Sequence, residues 1–290
     1  MGETARIAST QNLEYELQLP PIYQGNLSNV YRAQDLHMNR MVAVKEVLLQ
    51  GLSHKDRQTL KSEISVCCKC GIWCDHVPQI YTQFEQNDRL YLVMQWIQGK
   101  NLEHVLKEDH LNFAEKLDLS MQICNVVAPM HRNLVQHRDL KPANIQVDSR
   151  RRVWLMDFNI TAAVPHQGIG SGIYMAPEQA GYSCQAGAGR VDVFAIGVIL
   201  YEMFTGEAPI IGIDYSGDPQ DLQWQYFEAP STKEPQLPQE LDEIIIQCMR
   251  LNWKERYADA GKILSALKRL RGARKTWEAG TTSGYQTRRR

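Results

Sequence analysis

The sequence lacks the features of a membrane-embedded or disulfide-stabilised protein. Its apolar run from Val193 to Leu200 is far too short to span a bilayer, and the N-terminus carries no secretory signal. The seven cysteines are an odd number in a chain of 290 residues, which is long enough to build its own core without disulfides. These absences indicate a globular chain with no transmembrane segment and no disulfide framework.

The sequence also lacks an excess of charge of one sign. It has 32 Lys and Arg against 33 Asp and Glu, and the formal net charge of -1 argues against nucleic acid as the principal partner. The charge is uneven, because eight basic residues face a single acid, Glu278, near the C-terminus: Lys268, Arg269, Arg271, Arg274, Lys275, Arg288, Arg289 and Arg290. Residues 273–290 are therefore predicted to form a basic flexible tail. Such a tail is either a solvated helix end, a site of autophosphorylation, or a segment that contacts an acidic partner or an anionic membrane surface.

What the sequence does contain is a compact set of polar residues that suits phosphoryl transfer. It reads His137-Arg138-Asp139-Leu140-Lys141-Pro142-Ala143-Asn144, and Asp157 follows after a short apolar interval. Phosphoryl transfer needs a carboxylate that accepts the proton of the attacking hydroxyl, and a cation that neutralises charge on the transferred group. It also needs hard oxygen ligands for Mg²⁺, which a second carboxylate and an amide provide.

A second segment combines strand character with a charge in its interior. Residues 41–47 alternate β-branched and small side chains, which predicts a buried strand with Lys45 as its one inward-facing charge. A buried lysine costs several kcal/mol unless it is paired. The candidate partner is Glu63, in a stretch with helical spacing of apolar residues. Residues 90–94 predict another apolar strand that runs into a connector, Gln95–Asn101.

These motifs, in this order, resemble those of a eukaryotic-type (Hanks-type) serine/threonine protein kinase, similar to the bacterial Ser/Thr kinases, over about residues 20–272. The resemblance implies an α+β fold with two lobes. The N-lobe, about residues 20–95, is small and β-rich with one main helix, and the C-lobe, about residues 96–272, is mostly helical. Residues 1–19 are then an N-terminal lead-in. The implied reaction is cytoplasmic phosphorylation of serine and threonine hydroxyls on protein substrates, dependent on ATP and on Mg²⁺ or Mn²⁺.

The resemblance also assigns roles to individual positions. The catalytic group would be Asp139 as base together with Lys141, Lys45 and Glu63, and the metal ligands would be Asn144 and Asp157. The nucleotide would contact Tyr23, Gln24, Gly25, Val30, Ala43, Lys45, Met94, Gln95, Ile97, Asn101, Asn144, Gln146 and Asp157. Three further residues are expected to be structural: Glu178 would pair with Arg256, and Asp192 would bond the backbone of the catalytic loop.

Several positions depart from the family pattern. The nucleotide lid has Tyr23, Gly25 and Ser28 where the family has three glycines, which predicts a stiffer lid and weaker nucleotide affinity. Asn159 replaces a glycine, although asparagine tolerates a left-handed backbone. Gln146 replaces an apolar residue beneath the adenine ring.

Two other segments leave alternatives open. Between Ala162 and Gly170 there is no Ser, Thr or Tyr, so we expect activity that does not depend on phosphorylation in the middle of this loop. Four cysteines at positions 67, 68, 70 and 74, with His76, have the composition of a zinc site. Core packing and an exposed redox-sensitive thiol are the other interpretations of the same residues.

Three functions remain compatible with the sequence: an active protein kinase, a pseudokinase acting as a nucleotide-binding signalling scaffold, and a small-molecule phosphotransferase of related fold. The catalytic residues favour the first. The altered lid, Asn159 and Gln146 are the observations on which the second depends. Lys141 and the segment 174–178, typical of enzymes that act on proteins, argue against the third.

Overall fold

The structure is a computed structural model that describes residues 3–8, 14–25, 27–157, 172–179, 189–214 and 223–284. The side chains of Glu63, Asp214 and residues 274–284 are not part of this description. The predictions concerning Asn159 and the loop 162–170 therefore lie outside the described residues, as does the last part of the predicted tail.

Twelve strands and seven helices are described. The strands are β1 (Thr4–Ala8), β2 (Glu14–Gln18), β3 (Tyr23–Gln24), β4 (Ser28–Asp35), β5 (Arg40–Leu48), β6 (Ile80–Gln86), β7 (Arg89–Gln95), β8 (Gly99–Asn101), β9 (Ile145–Asp148), β10 (Val153–Leu155), β11 (Ile211–Asp214) and β12 (Gln223–Phe227). The helices are α1 (His54–Trp73), α2 (Leu102–Glu108), α3 (Phe113–Arg132), α4 (Arg190–Thr205), α5 (Pro230–Lys233), α6 (Gln239–Cys248) and α7 (Ala260–Gly284).

The chain divides into two compact units. The first comprises residues 1–99 and 154–166, and the second comprises residues 100–153 and 167–290. The first unit holds a seven-stranded sheet and α1, and the second holds all the other helices. The predicted α+β class, with a β-rich part followed by a mostly helical part, is confirmed. The change of unit at Gly99 falls inside the connector predicted at 95–101.

The sheet of the first unit is antiparallel, in the order β1-β2-β4-β5-β7-β6, with β3 pairing with β4. Because successive side chains of a strand point to opposite faces, each strand contributes to two surfaces. One face carries an apolar core formed by Ile7, Tyr15, Leu17, Tyr31, Ala33, Val42, Val44, Phe84, Tyr91 and Val93. The other face carries Lys45 and its cross-strand neighbours.

The N-terminal residues differ from the predicted lead-in. Strands β1 and β2 form an antiparallel hairpin, and β2 pairs with β4 through Leu17↔Ala33. Tyr15 and Leu17 are 2% and 4% exposed. Their alternation with polar residues is the pattern of a strand that is buried on one face only. The short length and polar outer face of these strands make the pattern weak in the sequence.

The interior of β5 holds two charges rather than one. Lys45 is 7% exposed, as expected, but its neighbour Glu46 is 3% exposed. The prediction that Lys45 is the one inward-facing charge of this strand is therefore wrong. Consecutive residues point to opposite faces, and both faces of this sheet are covered here.

Helix α1 begins at a capping box and buries a stripe of cysteines. The Ser53 side chain accepts a hydrogen bond from the Asp56 N–H at 3.2 Å, and the Asp56 carboxylate accepts one from the Ser53 N–H at 3.1 Å. Cys67, Cys70 and Cys74 are buried, whereas Cys68 is exposed. Among the described residues, no group of three or more potential metal ligands is assembled, so core packing accounts for the buried cysteines better than a zinc site does.

Helix α4 is the centre of the second unit. It is buried along almost its whole length, between two glycines with left-handed backbone, Gly189 and Gly206. Gly197 lies against α6 and its C-cap, since a Cβ added there would stand 2.6 Å from the Cys248 Cβ and 2.8 Å from the Met249 Cγ. Helix α4 contacts α3, α5 and α6, and α7 packs against α3 and α6. Residues 117–130, with their helical spacing of apolar side chains, lie within α3, and the apolar run 193–200 lies within α4.

Candidate active site

In the first unit, Lys45 forms an ion pair with Asp157. The Lys45 Nζ lies 2.7 Å from the Asp157 Oδ1, and the side chains are 9% and 38% exposed. Asp157 has a left-handed backbone with φ of 47°, a conformation uncommon outside glycine and costly enough to suggest a functional constraint. The predicted partner Glu63 lies on α1, but its side chain is outside the described residues, so the Lys45–Glu63 pair stays a prediction.

Four of the predicted nucleotide-binding side chains share one face of the sheet. Val30 is the cross-strand neighbour of Lys45, and Ala43 is that of Met94. Directly opposed residues of neighbouring strands point to the same face. The sheet therefore presents Val30, Ala43, Lys45 and Met94 on one face, and their contact with a nucleotide stays a prediction.

The predicted lid is a tight hairpin at the end of this face. Tyr23 and Gln24 form β3, opposite Val30 and Asn29, and the Gly25 N–H donates to the Ser28 carbonyl at 2.9 Å. A Cβ at Gly25 would stand 3.1 Å from the Tyr23 ring and 3.2 Å from the Ser28 oxygen. A side chain at this position would therefore crowd the turn and displace the Tyr23 ring, which is 58% exposed.

The two predicted adenine contacts, Gln95 and Ile97, lie at the end of β7 and just after it. The Gln95 N–H donates to the Gln79 carbonyl at 2.8 Å, and Ile97, two residues on, is 5% exposed. The short loop between β7 and β8 is thus fixed by backbone bonding and burial.

In the second unit, the side chain of Asp139 contacts two others, the ammonium group of Lys141 and the side-chain amide of Asn144. The Lys141 Nζ lies 3.0 Å from the Asp139 Oδ2 and 3.2 Å from its Oδ1. The Asn144 Nδ2 donates to the Asp139 Oδ2 at 2.9 Å and to the Asp139 carbonyl at 2.8 Å. Charge-assisted hydrogen bonds of this kind orient a carboxylate strongly. Asp139, Lys141 and Asn144 therefore lie together in the structure, and the catalytic roles assigned to them stay predictions.

The backbone of the loop around Asp139 is held by the buried carboxylate of Asp192. The N–H groups of His137 and Arg138 each donate to Asp192 at 2.8 Å, as predicted for Asp192. Arg138 has a left-handed backbone with φ of 66°. The two backbone bonds hold this unfavourable conformation directly before Asp139.

His131 completes this anchor and was not singled out in the sequence. Its Nδ1 accepts from the Ala260 N–H at 3.1 Å, so the proton lies on Nε2, which is 2.9 Å from the Asp192 Oδ2. Burial alone would raise the pKa of Asp192, but the hydrogen bond from His131, followed by the interactions with His137, brings it below its usual value. The signal in the sequence is only a histidine near the end of an apolar helix, which is common in ordinary cores.

A second ion pair fixes the segment that follows the loop. Arg256 makes a bidentate contact with Glu178 at 2.7 and 2.9 Å, and both side chains are almost fully buried. The predicted pairing of these two residues is confirmed. Gln179, beside Glu178, donates to the Arg138 carbonyl at 3.1 Å and so links this segment to the catalytic loop.

The donor chemistry fits a hard divalent cation. Because the Asn144 Nδ2 is used by Asp139, the amide oxygen Oδ1 is the atom left to face a ligand. Asp157 offers a carboxylate, and Mg²⁺ prefers carboxylate and amide oxygens. Asn144 and Asp157 are thus suitable metal ligands by type.

Two predicted nucleotide contacts of the second unit have other surroundings. The Asn101 side chain caps α2, because its Oδ1 accepts from the His104 N–H at 2.9 Å. Gln146 lies on β9 and is half-buried.

The comparisons with known proteins agree with this arrangement. The family model described as "Protein kinase domain" matches residues 18–267. The chain is 29% identical over 261 residues to a probable serine/threonine-protein kinase of Clostridium acetobutylicum, covering 85% of this chain and 38% of that protein. It is 30% identical over 263 residues to the serine/threonine-protein kinase PrkC of Bacillus subtilis (84% and 38%), and 29% over 265 residues to PknB of Mycobacterium tuberculosis (85% and 41%). The matched parts amount to roughly two fifths of the length of these relatives.

None of the described helices combines the length and apolar character needed to cross a membrane.

Proposed function

Because the chain belongs to the protein kinase family, we propose that it transfers the γ-phosphate of ATP to serine and threonine hydroxyls of protein substrates. The relatives named as serine/threonine-protein kinases support this assignment of substrate class. The observation that carries the proposal is the Asp139 carboxylate, which Lys141 and Asn144 hold in one orientation within the described catalytic loop.

In the reaction, Asp139 accepts the proton of the substrate hydroxyl as its oxygen bonds to the γ-phosphorus. The bond between the γ-phosphorus and its bridging oxygen breaks, and ADP leaves with the electron pair. Lys141 neutralises charge on the transferred group, because it lies beside Asp139 and carries the positive charge that the phosphoryl oxygens need.

Lys45 and Asp157 are assigned to the nucleotide. Lys45 would bind the phosphates and Asp157 would contribute to metal binding with Asn144. Mg²⁺, or Mn²⁺ in its place, would neutralise the phosphate oxygens when bound. Glu63 would hold Lys45 in the active state, which leaves Asp157 available to the metal.

The remaining proposed contacts concern the nucleotide base and lid. Val30, Ala43 and Met94 would cover the adenine ring from the sheet, with the backbone of Gln95 and Ile97 at its polar edge. The lid residues Tyr23, Gln24 and Gly25 would lie over the phosphates, and Asn101 and Gln146 would contact ribose and base.

The partners are protein substrates, and we place the reaction in the cytoplasm, where the free cysteines stay reduced.

The alternative of a pseudokinase is not supported by the comparisons, and the polar groups that catalysis needs are present at Lys45, Asp139, Asn144 and Asp157. A small-molecule phosphotransferase likewise has no specific observation in its favour.

The test is incorporation of phosphate from γ-labelled ATP with Mg²⁺, into the protein itself and into a generic basic protein. The Asp139→Asn variant is assayed beside the wild type. We expect the variant to lose activity by about a thousandfold or more, since the base is removed, while ATP still raises its melting temperature. Equal incorporation by both proteins would assign the activity to a contaminant and contradict the proposal.

A further inference from the structure

A buried carboxylate lies immediately beside Lys45 on the opposite face of the sheet. Glu46 follows Lys45 on β5 and is 3% exposed. Its face is otherwise the apolar core that contains Tyr31, Val44 and Tyr91. A carboxylate in such surroundings is unfavourable unless its oxygens are fully hydrogen-bonded.

Both oxygens of Glu46 are bonded from the two neighbouring strands. The Oε2 accepts from the Asn29 Nδ2 at 2.9 Å and from the Tyr31 hydroxyl at 3.2 Å, both on β4. The Oε1 accepts from the Arg89 Nη1 at 2.6 Å and from the Tyr91 hydroxyl at 3.1 Å, both on β7. One side chain of the middle strand therefore ties β4 and β7 to β5.

The arrangement is not the one that stability alone would favour. A carboxylate only accepts hydrogen bonds, so the Asn29 amide must present its nitrogen to Glu46. The Asn29 Oδ1 is buried, and no described residue bonds to it. An apolar cluster of similar volume is often as stable as a buried charged one. A fully polar cluster with one unsatisfied oxygen at this place therefore points to a role besides stability.

The strand register places this cluster directly behind the proposed nucleotide surface. Asn29, Glu46 and Tyr91 are cross-strand neighbours, as are Val30, Lys45 and Leu92 in the next row. Asn29 is also opposite Gln24 of the lid, one residue after the Ser28 carbonyl that closes the lid turn. A shift of Glu46 relative to Asn29 would therefore displace Lys45 relative to the lid.

We propose that Glu46 is a positioning residue for the nucleotide site, which fixes Lys45 relative to the lid. It does so by hydrogen bonds to the strands on both sides of β5, through Asn29 and Tyr31 on β4 and through Arg89 and Tyr91 on β7. This inference rests on the proposed function, because it concerns the same ATP site. Glu46 itself does not touch the nucleotide, since it lies on the opposite face from Lys45. Its effect is on the geometry of groups that do.

The test compares Glu46→Gln and the milder Tyr91→Phe with a core variant, Leu17→Ala, which lies on the same face but donates nothing to Glu46. All proteins are assayed well below their melting temperatures. We expect the KM for ATP to rise about tenfold in Glu46→Gln and less in Tyr91→Phe, because small displacements of phosphate-binding groups weaken binding strongly. The KM for the protein substrate should stay unchanged. Leu17→Ala should lower the melting temperature without changing the KM for ATP.

Amide hydrogen exchange gives a readout that does not depend on turnover. In Glu46→Gln, exchange should increase at 28–31 and 44–47, at the lid end of β4 and β5, and in Leu17→Ala it should increase at β1 and β2 instead. Unchanged exchange at 28–31 and 44–47, or a KM for ATP that follows melting temperature equally in all variants, would overturn the inference. A wild type that neither binds nor hydrolyses ATP would overturn the proposed function as well, and it is distinguished by the absence of any ATP-dependent rise in melting temperature.

Discussion

At the scale of single residues, the two buried carboxylates Glu46 and Asp192 are stabilised by different kinds of donor. Glu46 is bonded by side chains of neighbouring strands, including the cationic Arg89. Asp192 is bonded by two backbone N–H groups and by His131. In each case the charge is retained because donors replace water at both oxygens.

The Glu46 cluster predicts a specific dependence of stability on pH. Burial would raise the pKa of Glu46, but the bonds from Asn29, Arg89 and Tyr91 hold it below the ordinary value of 4.5. A carboxylate whose pKa is lowered by folding contributes stability above its unfolded pKa, and that contribution is lost as the pH falls through the folded pKa. We expect Glu46→Gln to reduce the free energy of unfolding by about 2–3 kcal/mol at pH 7, and by less as the pH falls below 4.5.

Urea unfolding of wild type and Glu46→Gln at several pH values between 7 and 3 measures this difference. A difference that is constant over that range would mean that the Glu46 carboxylate does not carry the charge-dependent part of the stability.

The His131 anchor gives a second prediction at this scale. His131→Phe would leave the Ala260 N–H without its acceptor and Asp192 without one of its donors. Each unpaired buried group costs about 1–3 kcal/mol, so we expect the two together to lower the free energy of unfolding by roughly 2–6 kcal/mol. The exposed His110 is the matched control, and His110→Phe should change stability by less than about 0.5 kcal/mol. Equal effects of both substitutions in urea unfolding would contradict the role assigned to His131.

At the scale of elements, helix α1 depends on its first turn. The box formed by Ser53 and Asp56 satisfies N–H groups that the helix itself leaves unpaired. The sequence predicted helical character at 61–66, but the start of the helix depends on the cap rather than on the apolar spacing.

Ser53→Ala is therefore expected to lower the free energy of unfolding by about 1 kcal/mol. Ser62→Ala is the matched control on the same helix, since the Ser62 hydroxyl only bonds back to the Gln58 carbonyl at 3.0 Å and alanine favours a helix interior. We expect Ser62→Ala to be neutral or slightly stabilising. Thermal unfolding of both variants measures the change in stability. A larger loss of stability in Ser62→Ala than in Ser53→Ala would show that the cap is unimportant.

The sequence predicted those elements whose evidence is local. A clear period or motif in runs of neighbouring residues predicts the catalytic loop, the strands β5 and β7 and the helices α3 and α4.

The N-terminal hairpin was missed, because Tyr15 and Leu17 are buried by pairing with β4, a later strand of the chain. The Glu46 cluster was missed for a related reason, since its donors come from strands whose register no local pattern specifies. The Lys45–Asp157 pair joins residues 112 positions apart, and both residues were predicted for their roles but not as partners of each other.

At the scale of the whole molecule, the thiols provide a test of the described fold. Six described cysteines are free, and Cys68 alone of these is exposed. Burial raises the pKa of Cys70 and of Cys124 to about 12, and it raises the pKa of Cys68 to a smaller degree. Only thiolates react readily with alkylating reagents.

We expect iodoacetamide to modify Cys68 in the native protein, slowly at pH 7 and faster at pH 9, and to modify the other five described cysteines only after denaturation. Peptide mass spectrometry after timed labelling measures each site. Native labelling of Cys124 at a rate similar to Cys68 would contradict the burial of α3 in the core of the second unit.

The hairpin of β1 and β2 has a practical consequence for producing the protein. A fragment that begins at residue 20, where the family resemblance begins, would lack both strands, and the edge of β4 that pairs with β2 would be left unpaired along Ala33 to Asp35. It would also uncover the apolar surface that Ile7, Tyr15 and Leu17 protect. An exposed strand edge beside a bare apolar face is a template for aggregation. Soluble material should therefore be sought from expression plasmids that retain the chain from Thr4 onward, and inclusion bodies from shorter ones would report the loss of this hairpin rather than an unstable catalytic domain.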